Sequence, residues 1–266
     1  MKKILVRICI VVLALIIIAA LGVHFFLDSA VKRGVETVGP KLTKTDVKLG
    51  GVHISLISGS GKLKGLVIGN PEGYKTPHAI SVGNVSLALK PGTVFSDKLV
   101  ITSINVQSPE ITFEGSIKGL GIKDNLQQIL DNVNGSTAGS KGTNVNVSGA
   151  TPKEEKKANK KLEVDDFQIT GAKLDASING MEGKTLSLTL PTIQLTNLGT
   201  GPEGITVAEL TKKVIAAIKD AAEKEVASNA GSLTKGAGNL TKGLGTNAGG
   251  SVSNITKGLG SLFKKQ

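Results

Sequence analysis

Hydrophobic positions along this chain change period repeatedly, and each change predicts a switch of element. Ile8 to Leu27 (ICIVVLALIIIAALGVHFFL) is continuously apolar, and about twenty such residues suffice for one helix to cross a bilayer. Val31, Val35 and Val38 then fall at three- and four-residue spacing, which predicts that a helix continues from Asp28 toward Thr45 until Pro40 interrupts it. Beyond it the period drops to two. His53 to Ile57 and Lys62 to Ile68 read as strands around a Ser58–Gly61 turn, and Ala79 to Leu89 as a third with an irregularity near Gly83. Leu99 to Val106 and Glu110 to Phe113 follow, parted by Ser108-Pro109. Short strands with short connections predict an antiparallel meander.

From Lys123 to Val133 the spacing returns to that of a helix, with Leu126, Ile129, Leu130 and Val133 on one stripe. Residues Asn134 to Lys160 are Gly, Ser, Thr and Asn followed by PKEEKKANKK, a composition that buries too little to fold alone and predicts a linker between two halves of the sheet. Strand patterning resumes at Leu162 to Val164 and Phe167 to Ile169, then Leu174 to Ile178, Leu186 to Leu190, and Ile193 with Leu195. Thr206-Val207-Ala208-Glu209 has the form of a capping box opening a helix; Leu210, Val214, Ile215, Ile218, Ala222 and Val226 give that helix a buried side to about Ala227. The expected division is therefore 1–27 tip and anchor, 28–133 first β-rich part, 134–160 linker, 161–227 second β-rich part and helix, and 228–266 tail. In that tail Leu233, Leu244 and Ile255 lie eleven apart, close to three helical turns, though its glycines disfavour a helix in water.

Charge gives this layout an orientation. Lys2, Lys3 and Arg7 precede the apolar run, the bias of a segment left in the cytoplasm, so the rest of the chain is expected on the far side of the membrane. The run exceeds an ordinary signal-peptide core, which favours an uncleaved anchor. Of the net +11, five charges sit in the tail on Lys235, Lys242, Lys257, Lys264 and Lys265, the candidates for contact with anionic lipid or envelope polymer. With one Tyr, six Phe and no Trp, the chain is poorly equipped to stack bases, and nucleic acid is not an expected partner. Cys9 is the sole cysteine, which excludes intrachain disulfides and multi-cysteine metal sites.

No catalytic constellation emerges. His24, His53 and His78 show no metal-ligand spacing, and Gly59-Ser60-Gly61 and Gly119-Leu120-Gly121 lack the ending of a phosphate loop. Asp124 with Asp131 and Asp165 with Asp166 do not suggest carboxylates confined around a substrate. The chain is expected to be no enzyme and to need no metal or cofactor. A shape argument remains: an extensive sheet with one aliphatic face must cover that face with helices, pack it on another sheet, or offer it to an apolar ligand. A closed core is the plainer alternative.

The order of features resembles the amino-terminal region of the AsmA-like family of bacterial envelope proteins. The resemblance runs from the anchor through Gly51-Val52-His53-Ile54-Ser55 and Gly61 to Tyr74, which includes Asn70-Pro71-Glu72-Gly73, then Ala79 to Leu89, Phe95 to Ile101, Ile104 to Phe113 and the helix with Asn125-Leu126. It implies a mainly β fold with flanking helices (α+β), whose curved, mostly antiparallel sheet forms an apolar-lined groove behind one N-terminal transmembrane helix. It also implies a part in outer-membrane biogenesis through binding or guiding phospholipid or another acyl-chain lipid, from a single-pass position in the inner membrane with the main domain periplasmic. The alternative is an envelope scaffold with a closed β core that binds an envelope protein or its own copies. Carried onto this chain, the groove candidates are Leu63, Leu66 and Ile68; Ile80, Val82, Val85 and Leu87; Leu99, Ile101, Ile104 and Val106; and Ile111 and Phe113. Large members of the family have enough sheet to bridge two membranes. Ten strands at about 4.8 Å reach only about 50 Å, so an accessory or assembling version of the module is expected.

Overall fold

The computed structural model describes residues 26–118, 121–138, 160–179 and 185–241. The expected transmembrane helix lies outside these apart from its last two positions, and among the described residues no helix is long and apolar enough to cross a membrane. The linker beyond residue 138 and the tail beyond residue 241 likewise lie outside them.

Helix α1 (26–43) leads into strands β1 (Val47–Ser55), β2 (Ser60–Gly69), β3 (His78–Leu89), β4 (Lys98–Gln107), β5 (Glu110–Lys118) and β6 (Gly121–Asp124). Helix α2 (Asn125–Ala138), strands β7 (Lys161–Thr170), β8 (Lys173–Asn179), β9 (Thr185–Thr189) and β10 (Ile193–Leu198), and helix α3 (Val207–Thr241) complete the order. All ten strands belong to one mixed sheet, curled into a half-barrel. β1 to β4 form the expected meander, but β5 pairs with the other end of β3 (Ile80 and Ser81) rather than with β4, and the second β-rich part joins by parallel pairing of β7 on β4 and β8 on β5. Parallel neighbours need a long crossover, which α2 and the polar stretch after it supply. Every other pairing among the described strands is antiparallel.

The register exposes why the sheet curls. Gly50 lies opposite Gly65, Gly65 opposite Gly83, Gly83 level with Ser108, Ser108 level with Gly171, and Gly171 level with Pro191, so six residues form one row across the sheet. Three of them, Gly65, Ser108 and Gly171, have positive φ (62°, 46° and 63°). At this row the two-residue apolar period slips by one: Val82 is followed by Val85, Ile169 by Ala172 and Leu190 by Ile193 among the buried positions. One unpaired step would turn half of a strand's aliphatic side chains to the opposite face. Taking the step at one level in β1, β2 and β3 and in the β4–β5, β7–β8 and β9–β10 junctions keeps both halves facing the same side and bends the sheet along a crease.

Helix α1 runs along the outer edge of β1. Asp28 and Glu36 accept the backbone N–H groups of Ile54 (2.8 Å) and Leu49 (3.1 Å), and Lys32 donates to the Gly50 carbonyl (3.4 Å). These residues share one helix face at four-residue spacing, so side chains satisfy an edge that would otherwise recruit another strand. Pro40 does not end α1 as expected. The helix reaches Thr43 because α2 holds its final carbonyls: Asn132 donates to Thr43 (2.7 Å) and Ser136 to Lys41 (3.2 Å).

Two other expectations need correction. Lys123 and Asp124 belong to β6, a hairpin partner of β5 too short to show a period, and Asp124 caps α2 by accepting the Gln127 N–H (2.8 Å). Helix α3 continues past Ala227 into the glycine-rich repeats as far as Thr241. Propagating an already nucleated helix is far less costly than starting one. Its predicted start and buried side hold: the Thr206 N–H donates to Glu209 (2.8 Å), the Glu209 N–H to Thr206 Oγ1 (3.1 Å), and Ile215, Ile218, Ala222 and Val226 are buried.

Candidate functional site

Alternation turns one face of the sheet toward α2 and α3. Ile80, Val82, Val85, Ile101, Val106, Ile111 and Phe113 are buried in a single core with Leu126, Ile129, Ile215 and Ile218 from the helices. Leu63, Leu66, Ile68, Leu87, Leu99 and Ile104 pack against that core yet stay half-exposed. Register keeps these rows continuous: Ile68 pairs Ile80, which pairs Ile111; Leu66 pairs Val82; Leu87 pairs Ile104. All thirteen groove candidates therefore belong to one connected aliphatic surface, closed where the helices lie and open along β2 and the Leu87–Leu99 end. Leu162, Leu186, Leu188 and Leu195 on β7, β9 and β10, outside the thirteen candidates, are half-exposed members of the same surface. Their alternation was visible, but the parallel seam that brings them into the same sheet was not. Of the five tail lysines, Lys235 lies near the end of α3 and the other four lie outside the described residues.

A second feature is polar and buried. Glu114 accepts the N–H groups of Lys75 (2.8 Å) and Thr76 (3.0 Å) and the Thr76 hydroxyl (2.9 Å). Asn125 accepts the Glu114 N–H (2.9 Å) and donates to Asn70 (2.7 Å) and to the Thr112 carbonyl (2.7 Å), while Asn70 donates to the Thr76 carbonyl (2.8 Å). This knot ties the β2–β3 loop, which carries Asn70-Pro71-Glu72-Gly73, to β5 and α2. Burial, with Asp124 and then Glu114 nearby, pushes the Tyr74 hydroxyl pKa up. Burial also raises Asp124, with Glu223 adding to the rise and the Gln127 N–H and Lys219 opposing it. Every named partner is engaged within the protein, so the knot reads as architecture. Glu114 was not singled out from sequence, although a lone carboxylate inside the apolar run ITFEG is a signal that it faces donors rather than water.

A cleft of about 620 Å³ opens beside this loop, lined by Pro40, Lys44, Asp46, Lys48, Asn70 and Glu72 among others. It carries both signs of charge and includes none of the groove candidates. His53 is exposed on β1 and His78 opens β3, at opposite ends of the sheet. Among the described residues no cluster of three His, Cys, Asp or Glu is placed to hold a metal ion.

No curated protein and no solved structure matches the chain. The profile of the AsmA family matches residues 1–230, spanning the apolar N-terminal run, both β-rich parts and most of α3. With that match over most of its length, and with the curled, aliphatic-faced sheet that the motifs implied, the chain belongs to the AsmA family, a family of bacterial envelope proteins linked to outer-membrane biogenesis.

Proposed function

We propose that this protein is a non-catalytic lipid-binding module that receives or guides phospholipid, or another lipid with acyl chains, along the inner face of its half-barrel. It works from a single-pass anchor in the inner membrane, with its N-terminus cytoplasmic and the sheet in the periplasm. The observation that carries the reading is the half-exposed row Leu63, Leu66, Ile68, Leu87, Leu99 and Ile104, continuous with the core and left open by α2 and α3. Contiguous apolar surface that a protein does not seal against itself favours an apolar partner, and an acyl chain gains about 0.8 kcal/mol for each methylene removed from water. Burial of the other seven candidates favours a second reading, a scaffold whose sheet is closed and whose partner is an envelope protein or another copy.

Substitution at the open positions separates the two. Leu66→Asp and Leu87→Asp, introduced into the full chain and extracted in mild detergent, should lower co-purifying phospholipid several-fold while circular dichroism stays unchanged. Unaltered lipid content in folded variants contradicts lipid binding at this face and favours the scaffold. Ile101 is unsuitable for this test because it is buried, and an aspartate there would perturb folding whatever the function.

A further inference from the structure

Exposed large hydrophobic side chains are not scattered over this molecule. Among the described residues there are five, and four of them gather at one end of the sheet: Ile57 (97% exposed), Phe95 (83%), Phe26 (75%) and Val207 (47%). A chain of hydrogen bonds strings their elements along that end. Asp28, two residues after Phe26, accepts the Ile54 N–H (2.8 Å), three residues before Ile57 at the β1–β2 turn. The same turn meets the Phe95 loop where Gly59 accepts the Leu89 N–H (2.8 Å). That loop touches the start of β7 where Asp97 accepts the Lys161 N–H (3.0 Å), and Leu162 exchanges two backbone hydrogen bonds (2.8 Å each) with Ile205, two residues before Val207. The charges on this rim are Lys90, Lys160 and Lys161 against Asp28, Asp97, Glu203 and Glu209, while Lys98 is paired with Glu163.

We infer that this end of the half-barrel is a membrane-contacting rim, with Ile57 and Phe95 seated among the acyl chains at the interface and the lysines at the level of anionic headgroups. Three features favour a bilayer as the occupant. Ile57 and Phe95 project from connections between strands and Phe26 and Val207 from helix starts, a spread-out arrangement suited to a fluid partner. The apolar run Ile8–Leu27 enters α1 at Phe26, so the anchor meets the domain at this rim. Leu87 and Leu99, at the open part of the aliphatic surface, also lie toward this end, where β3 finishes and β4 begins. The inference rests on the anchored, lipid-binding reading and adds how the domain stands: strand ends on the membrane, groove mouth at the lipid.

The chain contains no tryptophan, so one introduced indole reports its own depth. The full-length Phe95→Trp and Val38→Trp variants, the second half-exposed farther along α1, would be reconstituted in phosphatidylethanolamine/phosphatidylglycerol vesicles with or without brominated acyl chains. The rim contact predicts a blue-shifted emission for Phe95→Trp that brominated lipid largely quenches, and an unquenched Val38→Trp. Flotation of the same vesicles reads the anchor separately. A protein that floats with an unquenched Phe95→Trp overturns the rim while leaving the anchor standing, and equal quenching at both positions overturns the end-on stance. Failure to float removes both. Loss of co-purifying lipid in the Leu66→Asp variant with Phe95→Trp quenching intact leaves the groove and the rim independently supported.

Discussion

Glu114 shows how much one residue can hold. Its carboxylate is 1% exposed and accepts hydrogen bonds from two backbone N–H groups and a hydroxyl of the β2–β3 loop. Glu114→Ala would strand those donors inside the protein, and denaturant unfolding should show a loss of about 3 kcal/mol or more. Asp124 presents the opposite case. Its folded pKa is raised, chiefly by burial, so the native state binds the proton more tightly than the unfolded chain. Its contribution to stability is then greatest in acid and declines as pH rises from the ordinary carboxylate range through the raised value. Asp124→Asn keeps an acceptor for the Gln127 N–H and removes the buried charge. The variant should lose part of the pH dependence of unfolding above about pH 4 and be no less stable than the parent at pH 7.

At the scale of elements, the crease and the guarded edge carry the architecture. Gly171 has φ of +63°, and an added Cβ would lie 3.2 Å from Ser108 Oγ. Gly171→Val should therefore cost about 2 kcal/mol from backbone strain and crowding, whereas Ser108→Gly, which relieves a positive φ of 46°, should be neutral or stabilising in thermal unfolding. Asp28→Ala with Glu36→Ala removes two side-chain acceptors from the β1 edge, and light scattering should detect increased self-association. Much of this level was legible in the chain: strand positions, the Thr206–Glu209 cap and the buried side of α3 follow from period and local hydrogen-bonding chemistry. The crease was visible only as an irregularity near Gly83, because one slipped period is ambiguous until the register aligns six of them. The parallel seam was hidden because strand pairing across a long polar crossover leaves no local pattern, and the Glu114 knot because its donors lie on a loop 39 residues away in sequence.

For the whole molecule, the half-barrel has an aliphatic interior that two helices fill only in part, a guarded first edge, and a rim where exposed hydrophobic tips meet lysines. α3 leaves that rim and, at 1.5 Å per residue, its 35 residues extend about 52 Å. Thirteen groove candidates proved to be one surface, yet which of them stay open depends on where α2 and α3 lie, which no strand-level pattern encodes. The central claim concerns the occupant of that surface, and adjacent residues of β2 test it best because alternation points Leu66 and Val67 to opposite faces. A photoreactive side chain at each position, activated in cells and followed by mass spectrometry of the captured adducts, compares the two faces directly. The account predicts phospholipid adducts at Leu66 and few or none at Val67. Equal labelling at both positions, or protein adducts alone at Leu66, would contradict it.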